Sequence, residues 1–245
     1  MVSSSEKIYF FSDAHLGAGS PDQEAEKLRK LEELLSLVSR DEAECFILGD
    51  LFDFWFEFRG GYPPGQEKAL ALLQKASAAG ADIRLIGGNH DWWAGTAFRK
   101  ATGVRVHRDP FVGTRDGLKI YAGHGDDLAP SDWGYRQILR PILRNRISIS
   151  AFRLVPPGLG KRLGRIVSGG SRIYTEGRKR KLEEEYAESA RKICADGADA
   201  VFLGHTHQPA AIREFDEGRY VNVGDFFAQF SYAVLRNGEV VLKVV

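Results

Sequence analysis

The sequence predicts a mixed α/β fold in which helices pack against parallel β-strands, and a helical segment interrupts the later strands. Two observations predict this class. Short apolar runs of β-forming residues alternate with longer stretches in which apolar residues recur at helical spacing. The order strand–helix–strand–helix–strand at the start of the chain favours parallel strands joined by right-handed crossovers. The length of 245 residues suits one large domain with a deep core.

The first part of the chain contains three predicted strands and two predicted helices. IYFFSD (8–13) predicts the first strand, and residues 22–39 predict a helix with one apolar face. ECFILGD (44–50) predicts a buried strand, residues 66–80 a second helix, and DIRLIGGN (82–89) a third strand. The runs VRVH, DPFVG and LKIYAGHGD predict further strands that follow one another closely.

The second part changes from helix to strand. Residues 132–196 are mostly helical in pattern, and five strand-like runs follow: ADAVFLGH, AAIREF, RYVNVGD, SYAVL and EVVLKVV. We therefore expect a core made of residues 1–131 and 186–245, interrupted by a helical insertion over residues 132–185.

Composition excludes several classes of protein. Hydrophobic residues make up 43% and charged residues 27%, which is ordinary for a globular protein. The two cysteines, Cys45 and Cys194, have no metal or redox spacing and are expected to be buried thiols in a reducing compartment. The sequence has no stretch of 18 uninterrupted apolar residues and no apolar signal-peptide core, so we expect a cytoplasmic protein.

Polar residues that can bind metal follow most of the predicted strands. They are Asp13, His15, Asp50, Asn89, His90, Asp91, His124, Asp126, His205 and His207. Because ligands of open α/β sheets gather at the carboxyl ends of strands, we expect these side chains to converge on one edge. A single histidine is more often structural than a ligand. Here five of the six histidines follow strand ends and only His107 does not, which favours a metal site.

The order of the motifs D-x-H, GD, GNHD, GHGD and GHTH over residues 13–207 resembles the calcineurin-like metallophosphoesterase superfamily. This resemblance implies a four-layer α-β-β-α sandwich and a dinuclear metal centre. It implies that one ion is bound by Asp13, His15, Asp50 and His207. It implies that the other is bound by Asp50, Asn89, His124 and His205, with Asp50 bridging the two.

The ligand types narrow the choice of ion without fixing it. Imidazole and carboxylate without thiolate suit Mn²⁺, Fe, Zn²⁺ or Mg²⁺, and of these we expect two Mn²⁺ ions. In the superfamily, the histidine that corresponds to His90 contacts the phosphate or protonates the leaving oxygen. We expect Asp91 to act with it, by orienting His90 or another imidazole.

The predicted insertion is strongly basic. Residues 135–181 contain 13 basic residues and a single acid, Glu176, whereas the whole chain has a net charge of +1. Apolar residues are interleaved with these charges, which is typical of a surface for anionic lipid or a lipid phosphate. Such a surface suits lipid better than nucleic acid, so we expect the anionic inner-membrane surface as a partner and no nucleic acid.

An aromatic run, LFDFWFEF (51–58), follows Asp50, and Trp92–Trp93 follows GNHD. Two interpretations remain open: packing in the core, favoured for Phe52 and Phe54, or an apolar wall beside the metals for a base or an acyl chain.

Together these features resemble the UDP-2,3-diacylglucosamine hydrolases of lipid A synthesis. The tracts that carry the resemblance are GDLFDFW, GHGDDLAPSDWGY and GHTHQPA. The resemblance implies cleavage of the pyrophosphate of UDP-2,3-diacylglucosamine to UMP and 2,3-diacylglucosamine 1-phosphate, at the inner membrane surface. It implies substrate contacts from Asn89, His90, Asp132, Tyr135, Ser171 and Arg172. One departure is His90, because the best-known members of that family have Arg at this position.

Two other functions stay open at this stage. A soluble metallophosphodiesterase or phosphatase could use the same metal ligands on nucleotides or phosphoproteins. A binding scaffold without turnover is the third hypothesis, although a scaffold would not need a complete ligand set with His90 beside it.

Overall fold

Two β-sheets packed face to face form the centre of the fold. The structure is a computed structural model, and it describes residues 7–164 and 179–245. The strands of the first sheet are β1 (Ile8–Phe11), β2 (Glu44–Ile47), β3 (Asp82–Ile86), β4 (Arg105–His107), β10 (Ser231–Arg236) and β11 (Glu239–Val244), in the spatial order β11-β10-β1-β2-β3-β4. The strands β1 to β4 are parallel, and β10 is antiparallel to β1.

The second sheet is built from the middle and late parts of the chain. Its strands are β5 (Phe111–Arg115), β6 (Leu118–Gly123), β7 (Ala200–Leu203), β8 (Ala211–Glu214) and β9 (Arg219–Asn222), in the order β5-β6-β7-β9-β8. The three central strands β6, β7 and β9 are parallel, so their carboxyl ends lie at one edge.

Helices cover the outer face of each sheet. Three pack on the first sheet: α1 (Pro21–Arg40), α2 (Glu67–Ala78) and α3 (Thr96–Thr102). The capping box of Ser20 and Gln23 and the proline at the first helical position start α1 where the sequence predicts it. The predicted apolar face is confirmed, because Leu31, Leu35 and Val38 are buried against the sheet.

In the chain, a further group of short helices follows β6 and precedes the helix that covers the second sheet. They are a turn at Pro130–Asp132, a helical turn at Tyr135–Leu139, α4 (Arg140–Arg144), α5 (Arg146–Phe152) and α6 (residues 157–164). Then α7 (Lys179–Ala195) packs on the second sheet. Its residue Leu182 already belongs to that core, just before the predicted end of the insertion at 185.

The core is divided into layers. One apolar cluster lies between the first sheet and α1 to α3, a second between the two sheets, and a third between the second sheet and α7. Phe10 stacks on Phe202 across the sheets, with ring centroids 3.9 Å apart. The predicted four-layer α-β-β-α sandwich is therefore confirmed. Among the residues that the structure describes, every helix is too short or too polar to cross a bilayer.

Candidate metal centre

The strand ends of both sheets meet at one edge of the sandwich. In the first sheet, Phe11 pairs with Ile47, and Ile47 with Leu85, so the loops after β1, β2 and β3 emerge side by side. In the second sheet, Gly123 pairs with Leu203, which aligns the loops after β6 and β7. The sequence-predicted ligands lie on these five loops.

One cluster of donor atoms joins the loops after β1 and β7. Nε2 of His207 lies 3.0 Å from Oδ1 of Asp13. Nε2 of His15 lies 3.2 Å from Nε2 of His207 and 3.6 Å from Oδ1 of Asp13. These three side chains can hold one metal ion between them.

A second cluster joins the loops after β2, β3, β6 and β7. Nε2 of His124 lies 2.9 Å from Oδ1 of Asn89 and 3.0 Å from Nδ1 of His205. The same nitrogen lies 3.4 Å from Oδ2 of Asp50. Asp50, His124 and His205 form a second group that can hold an ion.

Asp50 lies between the two clusters. Its Oδ2 is 3.4 Å from Nε2 of His124 in the second cluster and 3.8 Å from Nε2 of His15 in the first. The structure thus brings together all seven residues predicted as ligands, which are separated by as many as 194 positions in the chain.

The backbone at these positions is unusual. Positive φ angles occur at Asp13 (56°), His15 (42°), Asp50 (51°), His205 (69°) and His207 (51°). Among the described residues, nine other than glycine have positive φ, and these five are predicted ligands. This conformation is costly for residues with a side chain and concentrates at functional sites. The candidate ligands therefore occupy backbone positions typical of a functional site.

Glycines give the loops the space for this close approach. A Cβ atom at Gly88 would lie 2.2 Å from Oδ1 of Asp50, and one at Gly204 would lie 2.6 Å from Oδ2 of Asp13. Both distances are far shorter than any van der Waals contact, so a side chain at either glycine would displace a carboxylate of the centre.

His90 approaches the centre from the loop after β3. Its Nδ1 lies 2.7 Å from the main-chain oxygen of Asp53, and its main-chain N–H donates to Oδ1 of Asp50 at 2.9 Å. Its Nε2 is 3.7 Å from Oδ2 of Asp50 and faces the centre. Because Nδ1 faces a carbonyl oxygen, it carries the proton, and this bond fixes the direction of the ring.

Asp91 has different partners from the ones we expected. Its carboxylate accepts hydrogen bonds from the main-chain N–H groups of Gly88 (2.9 Å), Leu51 (2.8 Å) and Asp50 (3.2 Å). It therefore ties the loop after β3 to the loop after β2 and fixes the backbone of Asp50. The imidazole of His90 is oriented by the carbonyl of Asp53 instead.

The electrostatics of the centre fit a positive ion. Burial lowers the pKa of His205 to about 4, with a contribution from the positive charge of His124. Burial also opposes the charge of His124, but the carboxylate of Asp50 outweighs it and raises the pKa of His124 to about 10. Burial and the negative charge of Asp50 raise the pKa of Asp91 to about 6.

These shifts arise because the buried carboxylates and imidazoles of the centre lie close together, so the charge of each group alters the pKa of its neighbours. A divalent cation would balance the negative charge of Asp13 and Asp50 and would accept the lone pairs of imidazoles whose nitrogens face each other at 3.0 and 3.2 Å. The residues present therefore fit a site for divalent metal ions.

A cavity of about 410 Å³ opens beside the centre, between the core and the short helices. Asn89, His90 and His205 line the end of the cavity at the centre. Most of the remaining lining is apolar and consists of Phe54, Phe56, Trp93, Leu139, Ile142, Leu143, Ile149, Phe152 and Leu163. Of the predicted aromatic run, Phe52 is packed in the core, whereas Phe54 contributes to the cavity wall.

The predicted substrate contacts of the insertion are partly visible. Asp132 and Tyr135 line the cavity. The hydroxyl of Tyr135 donates to Oδ2 of Asp126 at 2.7 Å, and the guanidinium of Arg144 donates to the same oxygen at 2.9 Å. The predicted contacts Ser171 and Arg172 lie outside the described residues.

Sequence analysis missed three residues that support the loops from behind. Buried Lys27 donates to the carbonyl oxygen of His15 at 2.8 Å. Buried Glu183 and Asn222 bind Thr206, in the loop after β7. The signal for Lys27 and Glu183 was a charged residue at helical spacing within an apolar face, and for Asn222 it was another strand end, NVGD.

Comparisons with known proteins agree with this geometry. Residues 6–209 match the family model described as calcineurin-like phosphoesterase. A UDP-2,3-diacylglucosamine hydrolase of Pseudomonas fluorescens (strain SBW25) is 33% identical over 204 residues, which cover 83% of this chain and 80% of the relative. The protein of that name from Porphyromonas gingivalis (strain ATCC BAA-308 / W83) is 28% identical over 258 residues and 97% of each chain.

Solved structures match more loosely. The structure of Yfce, a phosphoesterase from E. coli, matches with a TM-score of 0.48 and 17% identity, covering 98% of this chain and 92% of that one. A match this loose adds nothing to the fold described above.

Proposed function

Because this chain belongs to the calcineurin-like phosphoesterase family, a family of metal-dependent hydrolases, we propose that it cleaves the pyrophosphate of UDP-2,3-diacylglucosamine. The products are UMP and 2,3-diacylglucosamine 1-phosphate. The relatives above are named UDP-2,3-diacylglucosamine hydrolase, and their matches cover most of the chain. The observation that carries the proposal is the apolar cavity that opens directly onto the candidate metal centre.

Two divalent cations, with Mn²⁺ as the first choice, are assigned to the centre. Asp13, His15, Asp50 and His207 would hold one ion, and Asp50, Asn89, His124 and His205 would hold the other. A pair of such ions withdraws charge from phosphoryl oxygens and makes water a stronger nucleophile near neutral pH.

The side chains of this protein orient the substrate around that chemistry. Asn89 contributes a neutral oxygen, which limits the negative charge where a pyrophosphate must approach. Nε2 of His90 points to the centre and lines the cavity. Because Nδ1 already donates to the carbonyl of Asp53, Nε2 donates a hydrogen bond to a phosphate oxygen only when the ring is the doubly protonated imidazolium. The buried ring cannot turn freely, because the carbonyl of Asp53 holds Nδ1.

The cavity suits an acyl chain better than a polar ligand. Its wall beyond the metal end is formed by aromatic and aliphatic side chains from the loop after β2, the loop after β3 and the short helices. Burying an aliphatic chain there gains about 0.8 kcal/mol for each methylene group. Asp132 and Tyr135 lie at the polar part of the lining and are assigned to the sugar-phosphate portion.

We also propose that the short helices rest on an anionic membrane surface. Of the eleven exposed large hydrophobic residues among those described, eight lie between Trp133 and Leu163. Exposed cations from the same stretch accompany them, at Arg146, Arg153 and Arg162. A basic apolar surface is typical of proteins that lie at the bilayer interface.

The test is release of UMP from UDP-2,3-diacylglucosamine in the presence of Mn²⁺, measured beside hydrolysis of bis(p-nitrophenyl) phosphate. We expect the wild type to release UMP and Asp50→Ala to lose both activities, because the carboxylate shared by the two clusters is gone. Turnover of the soluble diester without any release of UMP would instead identify a soluble phosphodiesterase. The absence of turnover on both compounds would favour a binding scaffold.

A further inference from the structure

A buried carboxylate on α7 has no role in the proposed chemistry. The side chain of Glu183 is only 8% exposed, although it lies on the helix that covers the second sheet. Burial raises the pKa of its carboxyl group above the usual value, although the hydrogen bonds from its neighbours act to lower that pKa. A buried carboxylate is costly unless donors satisfy it, so its partners indicate what it stabilises.

The donors to Glu183 come from one place, the carboxyl ends of β7 and β9. The hydroxyl of Thr206 donates to Oε2 at 2.9 Å, and Nδ2 of Asn222 donates to the same oxygen at 3.0 Å. The hydroxyl of Tyr220 approaches it at 3.5 Å. Nδ2 of Asn222 also lies 3.1 Å from the hydroxyl of Thr206, which closes a compact network.

Thr206 lies between two of the candidate ligands. His205 faces the second cluster, with Nδ1 at 3.0 Å from Nε2 of His124. His207 faces the first cluster, with Nε2 at 3.0 Å from Oδ1 of Asp13. Both histidines have positive φ, at 69° and 51°, so this loop needs support to keep its conformation. A movement of Thr206 would therefore move ligands of both ions.

We infer that Glu183 is a positioning residue for both halves of the metal centre, acting through Thr206. This inference rests on the proposed function, because it assigns His205 and His207 as ligands. The neighbouring Glu184 provides the contrast: its carboxylate pairs with Arg213 at the surface, where its side chain is 66% exposed. Glu183 is thus buried against the loop after β7, whereas Glu184 on the same helix forms a surface ion pair.

The experiment measures Mn²⁺ binding to the full chain by electron paramagnetic resonance, with folding checked by near-ultraviolet circular dichroism. Glu183→Leu keeps the bulk of the side chain and removes the acceptor, and we expect it to weaken Mn²⁺ binding about 10–100-fold. Glu183→Gln keeps an oxygen that can accept from Thr206 and Asn222, and we expect it to restore most of the affinity. Glu184→Leu and Glu184→Gln are the matched controls and should bind as the wild type does.

The outcomes separate support of the centre from support of the fold. If folded Glu183→Leu melts at a lower temperature but binds Mn²⁺ as tightly as the wild type, the positioning role is wrong and the proposed function stands. If the wild type binds no Mn²⁺, the assignment of His205 and His207 as Mn²⁺ ligands is wrong and so is the positioning role, whereas release of UMP with another divalent ion would leave the proposed reaction standing. Should Glu183→Leu not fold, Thr206→Val decides by the same criterion, because it removes the donor and keeps the shape of the side chain.

Discussion

The predicted ligands occupy backbone conformations that most residues avoid. His15, for example, has a φ of 42° and is almost completely buried. Asp and His tolerate this region better than most residues, yet each such position still costs on the order of 1–3 kcal/mol. The protein keeps this strain because the loops after β1 and β7 are held by hydrogen bonds from behind, such as that from Lys27 to the carbonyl of His15.

At the residue scale, this strain predicts that glycine is more stable than alanine at position 15, which is the reverse of their order inside a helix. In metal-free protein, we expect His15→Gly to be more stable to urea than His15→Ala by about 1 kcal/mol, because only glycine adopts positive φ freely. Ser36 is the control, since it is exposed in the interior of α1. At that position, Ser36→Ala should be more stable than Ser36→Gly by about 1 kcal/mol. The same order at both positions would show that the loop is not strained.

At the scale of elements, α6 packs closely against aromatic side chains of the loop after β2 at two of its glycines. A Cβ atom at Gly164 would lie 2.4 Å from the ring of Phe54, and one at Gly160 would lie 2.1 Å from the ring of Phe58. The same helix contains Gly158, where a Cβ atom would meet nothing within 4 Å among the described residues. Because Phe54, Leu163 and Gly164 line the cavity, the packing of α6 sets part of its width.

This packing predicts different effects for two identical substitutions in α6. Gly164→Ala should push the helix away from Phe54 and raise KM for UDP-2,3-diacylglucosamine several-fold, since a contact at 2.4 Å must be relieved. Hydrolysis of bis(p-nitrophenyl) phosphate should be unchanged, because the metal ligands lie on other elements. Gly158→Ala should leave both activities unchanged. Equal effects of the two variants would contradict a substrate site beneath α6.

Other contacts fasten the short helices to the core. Nε1 of Trp93 donates to the carbonyl of Leu143 at 3.0 Å, and the guanidinium of Arg144 lies over the ring of Trp92 with its carbon 4.9 Å from the centroid. Arg144 also binds Asp126 in the loop after β6. Since Asp126 follows the candidate ligand His124 by two positions, this helical layer is attached directly to a loop of the metal centre.

At the scale of the whole molecule, positive charge and exposed apolar side chains are concentrated in the same stretch of the chain. Residues 135–181 carry a net charge of +12, and the remainder of the sequence is correspondingly acidic. Ile147 is 80% exposed and Leu154 is 65% exposed, both within this basic stretch. The apolar cavity lies beneath the same helices, so the proposed membrane-facing surface and the proposed acyl-chain site lie on the same part of the molecule.

This arrangement predicts binding to anionic vesicles. We expect the double variant Ile147→Asp/Leu154→Asp to lose most of its sedimentation with phosphatidylglycerol vesicles, because it replaces inserted apolar groups with negative charge. Val112→Asp is the control, since Val112 is 72% exposed but lies on β5, outside the basic stretch. Wild-type binding should also weaken as salt is raised. Equal sedimentation of the double variant and the wild type would contradict the membrane-facing assignment.

Much of the fold and the candidate ligand set followed from the sequence. Local pattern was sufficient for β1 to β3 and α1, because each has a strong period or a clear cap. The seven predicted ligands could be named because the order of the short motifs resembles the calcineurin-like superfamily, and that resemblance implies which residues bind the ions. His90 could be placed beside them for the same reason.

Only the tertiary structure decided which residues support the centre and which form the wall of the cavity. Lys27, Asp91 and Glu183 act through main-chain groups or a threonine that are distant in sequence, and no local pattern records such a contact. Phe52 and Phe54 are two residues apart and chemically identical, yet one lies in the core and the other at the cavity. Local propensity and periodicity describe neighbours along the chain, whereas these roles depend on how separate loops and helices pack against one another.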